Sequence, residues 1–290
     1  MNEFTNEEFS AMAAEMESEA KKGTYESPYW KPANEGTYAL RIITPLKKFN
    51  EKLFYEKHDM HYINNRGYYC LNQTLKDKNG NVHEAEMCPI CAKSKQLYSI
   101  STKGTPEWAQ AGDLRKKERY VSRVVVRGKK TKDGADDEAK PEFWEFGKKI
   151  HDYFFELIKN NMAGNFLALK DGRDYMLVKK GTGRNSDYSA SMISMNQTPI
   201  FPLTDKEKLT KLLENLSTME YSQLVEFRPA EELKAAVDEY FSTKKEDSTP
   251  TNDLASDPLE QAMYAGSATV APAPAATNAP DDIDDLLNSI

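Results

Sequence analysis

The chain has 290 residues and carries 39 Lys+Arg against 46 Asp+Glu, a net charge of −7. Apolar residues make up 39%, below the roughly 45–50% usual for a packed globule once glycine is counted, so part of the chain is expected outside any core. No run approaches the ~18–20 apolar residues of a membrane span, and the acidic start MNEFTNEEFS has no apolar signal segment, which excludes a membrane or exported protein from the expectations.

In chain order, the first 35 residues hold eight acids and three lysines, and Thr5 to Lys22 reads as a helix with Thr5 and Glu8 placed as a capping box. GTYALRIITP (36–45) reads as a strand ended by Pro45. LFYEKHDMHYI (53–63) and GYYCLN (67–72) read as two strands joined by NNRG, whose Asn and Gly tolerate positive φ. Further strands are expected at RYVSRVVVR (119–127), EFWEFG (142–147) and DYMLVKK (174–180). Apolar spacing predicts helices at KKIHDYFFELIKN (148–160), DKEKLTKLLENL (205–216) and PAEELKAAVDEYF (229–241), the last opening with Pro at a first-turn position. A mostly β fold with accessory helices (α+β) results, and no repeat is visible.

From Thr243 the composition changes. Residues 243–290 hold nine acids and two lysines, a net of −7, which leaves residues 36–242 at +5. A basic middle therefore lies between acidic ends. Residues 243–280 read as a disordered linker, with too little apolar surface to offset ordering entropy. The last ten residues differ, because Asp281, Asp282, Asp284 and Asp285 are interleaved with Ile283, Leu286 and Leu287. This suits a short acidic motif that docks into a basic, partly apolar groove, on this protein or a partner.

All three cysteines fall in one window: Cys70, Cys88 and Cys91. An odd count without an export signal argues against disulfides. Cys-x2-Cys places two thiolates at adjacent corners of a tetrahedron, with Cys70 as a third ligand. His58, His61 and His83 are the candidates for the fourth. If the hairpin turn is centred between Asn65 and Arg66, His61 stands opposite Cys70 and His58 opposite Gln73, while His83 lies in a polar stretch. His61, Cys70, Cys88 and Cys91 are thus expected to form one structural zinc site, with His58 and His83 as alternatives to His61. Four protein ligands leave no open position, and no HExxH or HxE arrangement supplies a base, so no enzyme is expected.

Basic residues then recur among aromatics. LRKKERYVSRVVVRGKK (114–130) offers Arg115, Lys116, Lys117, Arg119 and Arg123 around Tyr120. EFWEFGKKI (142–150) adds Trp144, Phe146, Lys148 and Lys149. LVKKGTGRNSDYSAS supplies Lys179, Lys180, Arg184 and Tyr188 in a glycine-bearing loop that lacks the Gly-Lys-Ser/Thr of a P-loop. Bases can track a phosphate backbone while aromatics stack on unpaired bases.

GTYALRIITP, the His–Cys70–CPIC window, RKKERYVSRVVV, EFWEFGKKIHD, GTGRNSDYSAS and the closing DDIDDLLNSI together resemble the single-stranded-DNA-binding proteins of T-even-type bacteriophages. The resemblance implies an OB-fold core over 36–242 with an inserted zinc subdomain at about 53–100, a basic cleft lined by aromatics, and a protein-binding tail at 281–290. Tyr120, Trp144 and Tyr188 match stacking positions, with Tyr98 and Trp108 as looser matches. Lys116, Lys117, Arg119, Lys148 and Lys149 match basic cleft positions. It further implies sequence-independent coating of single-stranded DNA in phage replication, recombination and repair, in the cytoplasm of the infected host. The tail would recruit replication and recombination proteins and mask the cleft. A protein–protein adaptor built on the zinc module is the competing expectation. Two departures stand out: the family's basic N-terminal patch for self-association is replaced by an acidic arm over 1–35, and the Cys70–Cys88 spacing is longer.

Overall fold

Alternating and β-branched strands and a few amphipathic helices organise the chain, seen here in a computed structural model that describes residues 27–246 apart from 132 and 203. The expected helix over 5–22, most of the linker and the tail at 281–290 lie outside the described residues. The strands are β1 (Tyr29–Trp30), β2 (Gly36–Ile42), β3 (Tyr55–Ile63), β4 (Arg66–Tyr69), β5 (Leu75–Lys76), β6 (Val82–His83), β7 (Lys117–Val126), β8 (Glu142–Gly147), β9 (Arg173–Lys179) and β10 (Met192–Gln197). The helices are α1 (Pro89–Ile100), α2 (Pro106–Asp113), α3 (Lys148–Lys159), α4 (Lys206–Leu216) and α5 (Ala230–Glu246). The class is mixed sheet and helix, as expected. The described residues fall into two compact units, one of 27–44, 53–56 and 120–215, the other of 45–52, 57–119 and 216–246.

The first unit is built on the sheet order β1-β8-β7-β2-β9-β10. β2 runs antiparallel to both β7 and β9, pairing Leu40 with Val126 and Thr37 with Val178. Val121, Val124 and Val125 are fully buried, as the apolar run of a strand covered on both faces requires. α3 turns Ile150, Tyr153, Phe154 and Leu157 inward, the i, i+3, i+4, i+7 stripe of an amphipathic helix. Burial of a ring such as Phe154 stabilises the unit by roughly 1.5–3 kcal/mol. Two arginines share one carboxylate: Arg41 Nε donates to Asp174 Oδ1 at 2.8 Å and Arg127 Nη2 at 3.1 Å. Arg41 is fully buried, and its remaining N–H groups reach the Ala168 and Thr198 carbonyls, anchoring those loops to the sheet.

The second unit contains the β3–β4 hairpin, the β5–β6 ribbon, α1, α2 and α5. Leu233, Ala236, Val237 and Tyr240 of α5 form a stripe that packs with Ile90 and Leu97 of α1, Ala111 of α2, and Cys70 and Cys88. Tyr240 Oη donates to Asp113 Oδ2 at 2.7 Å. α1 and α2 were not expected from the sequence, although both open with Pro at the first turn, and Thr105 caps α2 by accepting from the Trp108 N–H.

Candidate metal centre and nucleic-acid interface

The β3–β4 pairing places the first two candidate metal ligands. Asn64 and Asn65 take φ of 49° and 62°, the left-handed pair of a tight two-residue hairpin turn. His61 pairs with Tyr68 and Met60 with Tyr69, so the turn is centred between Asn64 and Asn65, not between Asn65 and Arg66. This correction moves the partner of His61 from Cys70 to Tyr68, a shift of two residues. Side chains on a strand alternate with period two, so Cys70 keeps the same face as His61. His58 falls on the opposite face, edge-on to Tyr69 at 5.2 Å between centroids.

Cys88 and Cys91 are set by the start of α1. The Cys88 N–H donates to Asn72 Oδ1 at 3.0 Å and its carbonyl accepts the first helical hydrogen bond, from Ala92, at 3.0 Å. The first turn then brings Cys91 beside Cys88. His61, Cys70 and Cys88 are fully buried and Cys91 is half-buried. Cys70 Sγ lies 3.6 Å from Cys91 Sγ, and His61 Nε2 lies 3.5 Å from both Cys88 Sγ and Cys91 Sγ. All four ligand atoms lie within 4.8 Å of one another. A tetrahedral ion with thiolate bonds of ~2.3 Å and an imidazole bond of ~2.0–2.1 Å needs sulfur–sulfur edges of about 3.7 Å and nitrogen–sulfur edges of about 3.5 Å. The donor set fits such an ion, and the separations are far beyond the ~2.05 Å of a disulfide.

His61 Nδ1 lies 2.8 Å from the Leu114 carbonyl. A carbonyl only accepts, so Nδ1 carries a proton and Nε2 points to the cysteines, the usual orientation of a ligating imidazole. Burial disfavours a charged His61, but hydrogen bonds to Cys88 and Cys91 outweigh it and raise the ring to about 9, so without a cation Nε2 holds a proton against the cysteines, which it must release before its lone pair can ligate. Hydrogen bonds from Cys70 and Cys91 drive the Cys88 thiol far down, and hydrogen bonds to Cys88 and Cys91 push Cys70 up. Negative charge is thus favoured on Cys88 and disfavoured on Cys70, and a bound cation would favour the thiolate form of each. His83 is elsewhere, stacked on Phe227 at 3.5 Å with Nε2 at 3.1 Å from Asp77 Oδ2.

The basic positions divide by unit. In the second, Arg115, Lys116 and Lys117 are exposed and Arg119 is half-buried. Lys116 pairs with Asp59 at 2.5 Å, and this hydrogen bond raises its pKa. Arg119 Nε donates to Tyr62 Oη at 3.0 Å, its guanidinium lies 5.2 Å from the Tyr62 ring centre, and Lys117 Nζ lies at 6.0 Å. Tyr62 was not foreseen. Its strand partner is Gly67, so the ring lies opposite a position with no side chain, and glycine facing an aromatic across the hairpin was the one available signal. Tyr98 and Trp108 form a half-exposed edge-to-face pair at 4.7 Å.

In the first unit the expected stacking rings turn inward. Tyr120, Trp144 and Phe146 are 3%, 3% and 4% exposed and belong to the core. Tyr120 stacks on His151 at 4.0 Å, and Trp144 packs on Phe146 at 4.7 Å. Arg123 is also buried, at 1%, because β7 is an inner strand. These four side chains do not present open surfaces. Lys148 and Lys149 are exposed and open α3, whose cap Gly147 makes no side-chain hydrogen bond and whose first turn holds no acid. Its N–H groups are suited to an anion. Lys179 Nζ donates to the Pro32 carbonyl at 2.9 Å, Lys180 is exposed, Arg184 lies in the turn Gly183–Asn185, and half-buried Tyr188 packs against the core.

Exposed lysines and arginines bordering half-open aromatic rings, beside three cysteines and a histidine that could hold a metal ion, are the equipment of a nucleic-acid-binding protein. Among the described residues no helix is long and apolar enough to cross a membrane. Residues 34–240 match the family described as gp32 DNA binding protein like, and the chain belongs to that family. A search of curated proteins finds no match.

Proposed function

We propose that the protein is a non-enzymatic, sequence-independent single-stranded-DNA-binding protein of phage replication, recombination and repair, with an OB-fold core and one structural zinc ion. The observation that carries this reading is the family match over residues 34–240, which spans the metal ligands and every basic cluster. Three thiols and an imidazole favour zinc over harder cations. Arg115, Lys117, Lys148, Lys149 and Lys180 would bind phosphates, and Tyr62, Tyr98 and Trp108 would stack on unpaired bases. The tail at 281–290 would recruit replication and recombination proteins and cover these surfaces electrostatically in the free protein, and the arm at 1–35 would serve self-association along the strand.

The test is a titration with poly-dT and with duplex DNA across salt concentrations, read by intrinsic fluorescence. Five phosphate contacts predict a slope of log affinity against log salt on the order of −3 to −4. Salt-independent binding, or equal affinity for duplex, defeats the proposal. Deleting residues 281–290 raises affinity at low salt if the tail covers the DNA-binding surface, and unchanged affinity rejects that part alone.

A further inference from the structure

Asp59 and Lys116 meet beside the four candidate metal ligands. Asp59 precedes His61 by two positions on β3, so the two side chains share a face. Its carbonyl accepts from the Cys70 N–H at 2.8 Å, which sets Asp59 opposite Cys70 across the hairpin, on the side of the ligand atoms. The Gln73 side chain clamps its backbone: Oε1 accepts the Asp59 N–H at 3.0 Å, and Nε2 donates to the Asp59 carbonyl at 2.9 Å. Lys116 Nζ donates to Asp59 Oδ2 at 2.5 Å, while Asp59 Oδ1 is buried with no hydrogen-bond partner. Lys116 belongs to the segment that also steadies His61, because Leu114 gives its carbonyl to Nδ1. Its neighbours on β7 turn elsewhere, with Lys117 Nζ and the Arg119 guanidinium at 6.0 and 5.2 Å from the Tyr62 ring centre.

Charge decides what this pair does. Three thiolates and a neutral imidazole around a divalent cation leave one net negative charge. Asp59, only 13% exposed, adds a second anion on the same face, where water screens poorly. Lys116 is attracted to both. Its pKa is raised by the hydrogen bond to Asp59, against burial, and further by negative charge on Asp59, Cys70 and Cys91. With the lysine 46% exposed, such an ion pair adds little to folding itself. Its leverage is on the charge of the metal ligands.

We propose that Lys116, held by Asp59, is a positioning residue of the metal centre and not a phosphate contact. The inference rests on the structural zinc ion proposed above. The ammonium favours the thiolate form of the cysteines and slows loss of the ion. Removing it leaves Asp59 uncompensated against an anionic cluster, and removing both restores the balance of charge.

The experiment follows zinc release to a chromophoric chelator from full-length, metal-loaded protein and its variants. Lys116→Met keeps most of the stem without the charge, and should release zinc about tenfold faster, the low end for loss of a group that supports metal ligands. Asp59→Asn should release it no faster than the parent. D59N/K116M, with both charges gone, should return to within about threefold of the parent. A packing defect would instead leave the double variant at least as leaky as K116M. Cobalt-substituted spectra check that each variant keeps three thiolates and one imidazole, and circular dichroism checks that it is folded. On the same samples K116M should bind poly-dT with an unchanged salt slope, whereas loss of a phosphate contact makes the slope shallower by about 0.7. Parental release rates in K116M, a double variant no slower than K116M, or a shallower slope overturns the inference. A parent that carries no metal overturns it together with the metal centre. A parent that holds zinc but fails to bind poly-dT refutes the DNA-binding reading alone, since the release series is read without DNA.

Discussion

Replacing Trp144 distinguishes a core ring from a DNA-stacking ring. Its side chain is 3% exposed and packs at 4.7 Å on Phe146 and 5.6 Å on Tyr175. Trp144→Ala therefore leaves a large cavity in the first unit's core, at a cost of roughly 3–5 kcal/mol. Against a total stability of about 5–15 kcal/mol this is severe, and it corresponds to a fall in Tm of roughly 10–15 °C for a chain of this size. Trp144→Phe, which keeps much of the buried area, should cost less than half as much. Thermal and urea unfolding measure these changes, and titration with poly-dT well below the new Tm measures affinity. The expected result is a large loss of stability with affinity within about threefold of the parent. A stacking ring would behave in the opposite way, losing about 1–3 kcal/mol of binding per base, roughly 5- to 150-fold, with little effect on unfolding. Unchanged Tm together with a loss beyond tenfold in affinity would refute the placement of Trp144 in the core.

Other expectations follow from the same structure. Purified protein should carry stoichiometric zinc; His61→Ala or a strong chelator should remove it and lower the second unit's unfolding transition, since structural zinc contributes about 10–16 kcal/mol in small peptide sites. Metal-free protein melting unchanged would reject the centre. His58 is pressed by burial down to about 4 from 6.5. The unfolded chain then takes up its proton first, so this group adds nothing to the pH dependence above 6.5 and removes up to about 3 kcal/mol as pH falls from 6.5 to 4. His58→Leu should flatten that acid limb, and parallel stability curves for the two proteins would sink the assignment. Tyr62→Ala should weaken binding to single strands by about 1–3 kcal/mol without changing the salt slope, whereas Lys117→Glu should make the slope shallower by at least about 0.7. Identical effects of the two substitutions would show that they do not play separate roles.

Local chemistry made much of this chain legible. The strands at 36–42, 55–63, 117–126, 142–147 and 173–179 and the helices at 148–159, 206–216 and 230–246 follow from period-two and helical spacing. The ligand set His61, Cys70, Cys88 and Cys91 was legible because a hairpin preserves which face a side chain occupies, even though the turn lies one position from its expected centre. α1 and α2 escaped notice because their apolar positions are sparse: each buries at most three residues.

What the sequence by itself determined is which residues alternate, which carry charge, and which can bind a metal, since these depend on side-chain chemistry and on neighbours a few positions away. Only the tertiary structure decided exposure. Arg123 and Arg119 are four residues apart on the same face of β7, yet the first is buried and the second reaches Tyr62. Trp144 and Phe146 look like stacking rings in sequence and are core in fact. α5, more than 100 residues from the cysteines, packs against them through Leu233, Ala236, Val237 and Tyr240. Burial is set by what the rest of the chain lays over a position, and no local pattern encodes that.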